Sequence, residues 1–220
     1  MIPPEHNADF VAAMEKVLDV YTRPYDPKFP VVCLDETPRQ LIKETRLVIP
    51  AAPGRPERHD YEYERCGAYT VFMANEPLAG KRLAEVAERK TKAHWARFVR
   101  DLAEQYPDAL KITLVMDNLN THKPGSLYEV FAPAEAKRLW DRFEFVHTPK
   151  HGSWLNMAEI ELNVLIRQGL GGRMGTIQEA AAAVEAWQTQ RNNLNAKVNW
   201  QFTTDCARVK LRRLYPTIDL

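Results

Sequence analysis

The chain has 220 residues, a formal net charge of +1 and a hydrophobic content of 45%, ordinary values for a globular protein with a sizeable core. No apolar run approaches the roughly 20 residues that span a bilayer, and the first residues lack the basic-then-apolar order of a secretory signal. Three unevenly spaced cysteines are typical of free thiols in a reducing compartment. We therefore expect a cytoplasmic protein without a membrane partner, whose near-neutral charge permits nucleic-acid binding without indicating it.

The predicted elements begin with a helix and neighbouring strands, and then alternate between strands and helices. In chain order the hydrophobic patterns predict a helix (8–21), a Pro-rich link, a strand (31–35), a long loop (45–60), strands (67–74 and 82–87), a helix (90–106), a strand (112–116), a mostly helical segment (127–143), a strand (143–147) and three helices (156–170, 176–194 and 205–214). This order predicts an α/β protein whose mixed sheet has helices on both faces.

Acidic residues stand at the predicted ends of two strands and on a later helix. Asp35 and Asp117 each follow a buried apolar strand, and Glu159 lies near the start of the helix after the last strand. Strand-end acids project into the crevice where open α/β sheets bind ligands, and Mg²⁺ favours carboxylate oxygens. Asp35 or Asp117 alone also fits a turn or cap. Together, the three acids indicate a divalent-metal site for phosphodiester chemistry, where two ions roughly 3.5–4 Å apart could assist in-line displacement.

Three stretches carry a family resemblance: VVCLDETP (31–38), LVMDNLNTH (114–122) and TPKHGSWLNMAEIEL (148–162). They resemble the catalytic core of bacterial insertion-sequence transposases of the mariner superfamily, and the similarity runs from about residue 9 to residue 216. The resemblance implies a ribonuclease H-like, retroviral-integrase-like fold and an Asp-Asp-Glu endonuclease with Asp35, Asp117 and Glu159 as catalytic metal ligands.

The same resemblance implies the cofactors and partners. We expect two Mg²⁺ ions, with Mn²⁺ able to substitute, and double-stranded DNA carrying the transposon's terminal inverted repeats, together with target DNA. A homodimer in the active complex and a bacterial, nucleoid-associated location when DNA is bound are also implied. Alternative functions are a ribonuclease H-like nuclease, or a catalytically silent remnant that binds DNA or dimerises with a full-length transposase.

Glu161 competes with Glu159 for the third position. Glu159 shares a helical sector with three polar residues (Asn156, Asn163 and Arg167), whereas Glu161 falls between Val164 and Leu165. The family's Leu-Asn-x-x-Glu order matches 155–159 and selects Glu159. Glu161 is expected to pair with a basic side chain at the helix margin. Glu36, next to Asp35 on a strand, is expected to point to the opposite face of the sheet.

Five further residues are candidates for DNA contact: His122, Lys150, His151, Trp154 and Asn156. Alternatives stay open for most of them. His122 could make a structural hydrogen bond, Lys150 and His151 could form an exposed turn, and Trp154 fits packing better than stacking on a base.

Three segments are predicted: an N-terminal helix and extended linker (1–30), a ribonuclease H-like Asp-Asp-Glu catalytic domain (31–194) and a basic C-terminal helical extension (195–220). Members of the family carry helix-turn-helix modules ahead of the catalytic core, and we expect none within these 220 residues. DNA binding by this chain is therefore expected to be weak, salt-sensitive and nearly independent of sequence.

Overall fold

A computed structural model describes residues 7–46, 48–56, 58 and 60–216, so parts of the predicted 45–60 loop and of the terminal segments 1–30 and 195–220 lie outside the described residues. The elements are α1 (Ala8–Tyr21), β1 (Val31–Glu44), β2 (Tyr63–Glu76), β3 (Lys81–Ala87), α2 (Lys92–Glu104), β4 (Ile112–Met116), α3 (Pro124–Tyr128), α4 (Pro133–Arg142), β5 (Phe143–His147), α5 (Met157–Gln168), α6 (Ile177–Asn193) and α7 (Thr204–Lys210). Short 3₁₀ turns cover Ser153–Leu155 and Arg212–Leu214. No helix in the described residues is long and apolar enough to cross a bilayer.

The five strands form one mixed sheet in the order β3-β2-β1-β4-β5. β1, β2 and β3 pair antiparallel, whereas β4 and β5 run parallel to β1. Helices cover both faces: α2, α3 and α4 pack on one, and α1, α5, α6 and α7 pack on the other. The predicted mixed sheet with helices on both faces is confirmed.

The first strand is longer than predicted, which corrects the position of Asp35. β1 continues to Glu44, so Asp35 lies inside the strand and not at its end. β4 pairs with β1 only as far as Cys33. Beyond that point, among the described strands, β1 continues beside β2, and its Ile42 N–H donates to the Met174 carbonyl outside the sheet at 2.7 Å. Pro38 is tolerated there because a proline on a sheet edge loses no ladder hydrogen bond.

The segment predicted as one mostly helical stretch (127–143) contains the end of α3 and all of α4. Proline explains both starts: Pro124 and Pro133 each occupy the first turn of their helix, where the missing N–H costs nothing and the fixed φ favours the helical conformation.

The two terminal segments pack against each other. The Asn7 N–H donates to the Leu214 carbonyl at 3.0 Å, and the Thr204 hydroxyl donates to the Asp19 carboxylate at 2.8 Å. Side chains of α1, of the 198–202 segment and of α7 share one hydrophobic cluster with residues of the 153–155 turn and the start of α5. The boundaries of the three predicted segments stay a prediction.

Candidate active site

The strand register places Asp35 and Asp117 at corresponding positions after the β1–β4 ladder. Cys33 pairs with Val115 in the parallel β1–β4 ladder. Asp35 lies two residues further along β1, and Asp117 lies two residues after Val115, just beyond the end of β4. Because side chains alternate along a strand, Asp35 shares the face of Cys33, on the side of α5. Glu36 shares the opposite face with Leu34, as predicted.

Asp35 lies in a strongly acidic environment. Burial raises the pKa of its carboxyl group from 3.8 to about 7, a hydrogen bond from the Glu36 N–H opposes the rise, and repulsion from the Glu36, Asp117 and Glu159 carboxylates adds to it. The Glu36 N–H donates to Asp35 Oδ1 at 2.8 Å. Three further acids are therefore close enough to act electrostatically on Asp35, and a cation placed among them would relieve that repulsion.

Asn156 fixes the start of the helix that carries Glu159. Its Oδ1 accepts from the Ala158 N–H at 3.1 Å and caps α5, while its Nδ2 donates to the Leu34 carbonyl at 2.8 Å. Leu34 immediately precedes Asp35, so one side chain joins β1 to the first turn of α5, where Glu159 lies. Asn156 is 1% exposed. This burial corrects its assignment as a DNA contact, because both polar ends are used inside the protein.

His122 lies behind Asp117. Its Nδ1 is 2.7 Å from Asp117 Oδ1 and its Nε2 is 3.2 Å from Glu36 Oε1, both ion-pair distances. Burial lowers the pKa of His122, but the Asp117 and Glu36 carboxylates outweigh it and raise the pKa to about 9. The ring stacks on Trp95 with centroids 5.5 Å apart, and the Lys90 ammonium also contacts Glu36. His122 is 1% exposed, so the structural alternative holds and the predicted DNA contact is corrected.

Glu161 forms ion pairs with two arginines, in agreement with the expected basic partner, although its side chain is fully buried and does not lie at the helix margin. Arg82 Nε lies 2.7 Å and Arg191 Nη2 lies 2.9 Å from its carboxylate oxygens. Burial raises the pKa of Glu161, but the two guanidinium groups outweigh it and hold the pKa below its usual value. Two helical positions separate Glu161 from Glu159 by about 200°. Glu159 is thus turned away from the arginines.

The other candidates lie at the surface or in the packing. Lys150 and His151 are exposed, and His151 adopts a left-handed conformation with φ 66°. Trp154 packs edge-on against Phe202 with centroids 5.9 Å apart, which agrees with the packed alternative. His147 Nδ1 lies 3.3 Å from the Asp117 carbonyl oxygen, and burial lowers its pKa.

Sequence reasoning missed the parts of the site that other elements contribute. Lys90 and Trp95 come from α2 and the turn before it, and no local motif marked them. The one available signal was Glu36, an acid predicted to point to the face of the sheet opposite Asp35, because a carboxylate that is buried under helices needs a partner.

The donor set is chemically suited to a hard divalent cation. Asp35, Asp117 and Glu159 offer only carboxylate oxygens, which Mg²⁺ and Mn²⁺ favour, whereas zinc sites are typically built from thiolates and imidazoles. Within the described part of the chain, no three His, Cys, Asp or Glu side chains already converge as a complete metal cage. The acids share an electrostatic environment without closing on one point.

Comparisons with known proteins place the chain in a family. Residues 30–180 match the model of the DDE superfamily endonuclease, whereas no curated protein sequence matches the chain. The fold resembles the Mos1 mariner paired-end complex with Mn (TM-score 0.59, 14% identity, 89% of this chain and 60% of that chain). It also resembles the Mos1 strand transfer complex (TM-score 0.58, 14% identity, 89% of this chain and 59% of that chain). A third similar structure is the mariner Mos1 paired-end complex with Mg (TM-score 0.56, 13% identity, 99% of this chain and 66% of that chain). This chain spans less than two thirds of those proteins, and at such identity the likeness shows the fold alone. The family match covers well over half of the chain, which therefore belongs to the DDE superfamily of endonucleases.

Proposed function

We propose that this chain is the catalytic part of a DNA transposase, which cuts transposon-end DNA and joins the freed 3′-hydroxyl to target DNA by in-line displacement at phosphorus. The observation that carries the proposal is the position of the three acids in a chain of the DDE superfamily. Asp35 and Asp117 follow the β1–β4 ladder by the same two residues, and Glu159 lies in the first turn of α5, which Asn156 ties to β1. The similar Mos1 structures are described as a paired-end complex and a strand transfer complex, which supports the same activity here.

Asp35, Asp117 and Glu159 are the proposed metal ligands. The structures with Mn and with Mg support a divalent ion, and we propose two Mg²⁺ ions, with Mn²⁺ able to replace them. Bound ions would supply electrophilic assistance at the attacking and leaving oxygens. The protein groups hold the ligands in place: His122 orients the Asp117 carboxylate, and Asn156 sets the distance between β1 and α5. No nucleophilic side chain is required, because water and then a DNA 3′-hydroxyl attack directly.

The DNA partner is proposed to approach along the exposed side of α5 and the loop before it. Lys150 and His151 are exposed there, as are Asn163 and Arg167 further along the helix. These groups suit contacts to phosphate, which position DNA without reading its sequence. Transposon ends, target DNA and a homodimeric active complex belong to the same proposal.

A plasmid-nicking assay tests the proposal. Purified protein is incubated with supercoiled DNA and Mn²⁺ or Mg²⁺, alongside Asp35→Asn, Asp117→Asn and the matched surface variant Asp26→Asn. We expect metal-dependent nicking by the wild type and by Asp26→Asn, and none by the two active-site variants. DNA binding without nicking would support a silent remnant, and cleavage restricted to RNA in RNA–DNA hybrids would support a ribonuclease. Either result would contradict the proposed function.

A further inference from the structure

The hydroxyl of Tyr21 contacts both β1, which carries Asp35, and the turn that leads into α5, which carries Glu159. It donates to the Leu155 carbonyl at 2.7 Å and lies 3.5 Å from the Cys33 sulfur. Leu155 precedes Glu159 by four residues, and Cys33 precedes Asp35 by two on the same strand face. Tyr21 belongs to α1, outside the residues 30–180 that match the family model. A helix beyond the family match thus reaches the backbone that leads into α5.

The C-terminal segment holds Tyr21 in this position. The Tyr21 ring packs on Trp200 with centroids 5.2 Å apart, and Trp200 Nε1 donates to the Phe202 carbonyl at 2.5 Å. Phe202 in turn packs on Trp154, next to Leu155. The terminal segments therefore enclose the 153–155 turn from two sides.

A second tyrosine joins the same terminal segments through a side chain of α1. Glu15 of α1 accepts from Arg208 at 2.9 Å and from the Tyr215 hydroxyl at 2.9 Å. Tyr215 therefore resembles Tyr21 in residue type and location, but its partner is a side chain of α1 and not the backbone before α5.

We propose that Tyr21 is a positioning residue for Glu159. Its O–H bond to the Leu155 carbonyl holds the backbone that enters α5, and its contact with Cys33 keeps that backbone at a fixed distance from the strand of Asp35. Removing the hydroxyl leaves the Leu155 carbonyl without this donor, so the 153–155 turn and the first turn of α5 gain freedom. The consequence for catalysis rests on the proposed function, whereas the consequence for local order does not.

The test compares Tyr21→Phe with Tyr215→Phe, since each removes one hydroxyl and retains the ring. Hydrogen exchange is measured by mass spectrometry on peptides covering 153–160, without metal. We expect exchange about tenfold faster in Tyr21→Phe, the factor that corresponds to one lost hydrogen bond, and wild-type exchange in Tyr215→Phe. Equal exchange in 153–160 for both variants would overturn the proposal.

Mn²⁺ affinity and DNA nicking give the second readout. In Tyr21→Phe we expect Mn²⁺ affinity, followed by electron paramagnetic resonance without DNA, to fall about tenfold, the low end for residues that orient metal ligands. Nicking at low Mn²⁺ should fall with it and recover at high Mn²⁺. Unchanged Mn²⁺ affinity despite faster exchange would refute positioning of Glu159. If the wild type neither binds Mn²⁺ nor nicks DNA, the proposed function fails, and the exchange result still decides whether Tyr21 holds the turn.

Discussion

Asp35→Asn should stabilise the metal-free protein in a pH-dependent way. The pKa of Asp35 rises from 3.8 to about 7 on folding, so the folded state favours the protonated form. The cost of ionising Asp35 is therefore absent below about pH 4, grows as the pH rises and is complete above about pH 7. Each pKa unit corresponds to about 1.4 kcal/mol, which gives about 4 kcal/mol at pH 8 as an upper value, because Asp35 keeps some solvent contact. Asparagine removes the charge and retains an oxygen for the Glu36 N–H.

Urea unfolding in EDTA, followed by fluorescence of the five tryptophans, measures the effect. The free energy of unfolding of Asp35→Asn minus that of the wild type should be near zero at pH 4 and reach about 2–4 kcal/mol at pH 8. Asp26→Asn is the matched control, since Asp26 is exposed and also accepts a backbone N–H, from Lys28 at 2.8 Å. Added Mg²⁺ should shrink the difference because only the wild type binds it well. A difference that is independent of pH, or a loss of stability at pH 8, would refute the interpretation that burial and the neighbouring carboxylates make ionised Asp35 unfavourable in the folded protein.

Three further outcomes are expected. Glu159→Gln should abolish nicking and leave the stability unchanged or raised. Glu161→Gln should lower the free energy of unfolding by about 3–5 kcal/mol, because Arg82 stays buried without its counter-charge, but the folded variant should still nick DNA. The reverse pattern would overturn the assignment of Glu159 as the catalytic acid. Asn156→Ala should cost about 1–3 kcal/mol in urea unfolding, from the lost helix cap and the unpaired Leu34 carbonyl, and a neutral result would show that the cap is dispensable. His122→Gln should cost about 3 kcal/mol below pH 6.5, and this cost should vanish as the pH rises through about 9; a cost that persists at pH 10 would argue against a charged imidazole.

The sequence was most informative about features that depend on the residue pattern within a single strand or helix. The period of apolar residues predicted the strand 143–147 with the bounds of β5, and the polar stripe of Glu159 agreed with the opposite, arginine-bound orientation of Glu161. Both depend on local periodicity, which a single sequence displays.

The missed features depend on residues far apart in the chain. β1 continues past Asp35 because β2 accompanies it to Tyr63, and no signal within 36–44 reveals that neighbour. His122 is held by Glu36, more than 80 positions away, and by Trp95 from α2. Its burial follows from tertiary packing, and the motif around Asp117 alone left both alternatives open.

Asp35 and Glu36 are neighbours on one strand, so each face of the sheet receives a carboxylate. A one-residue slip of β1 would turn every side chain of the strand to the other face. A slip that places Glu36 at the position of Asp35 would carry Asp35 to the position of Leu34, away from the His122 and Lys90 side chains that contact Glu36 in the native register. The native register therefore gives the two neighbouring acids opposite environments. Glu36 faces two basic side chains, whereas the charged groups that act on Asp35 are carboxylates.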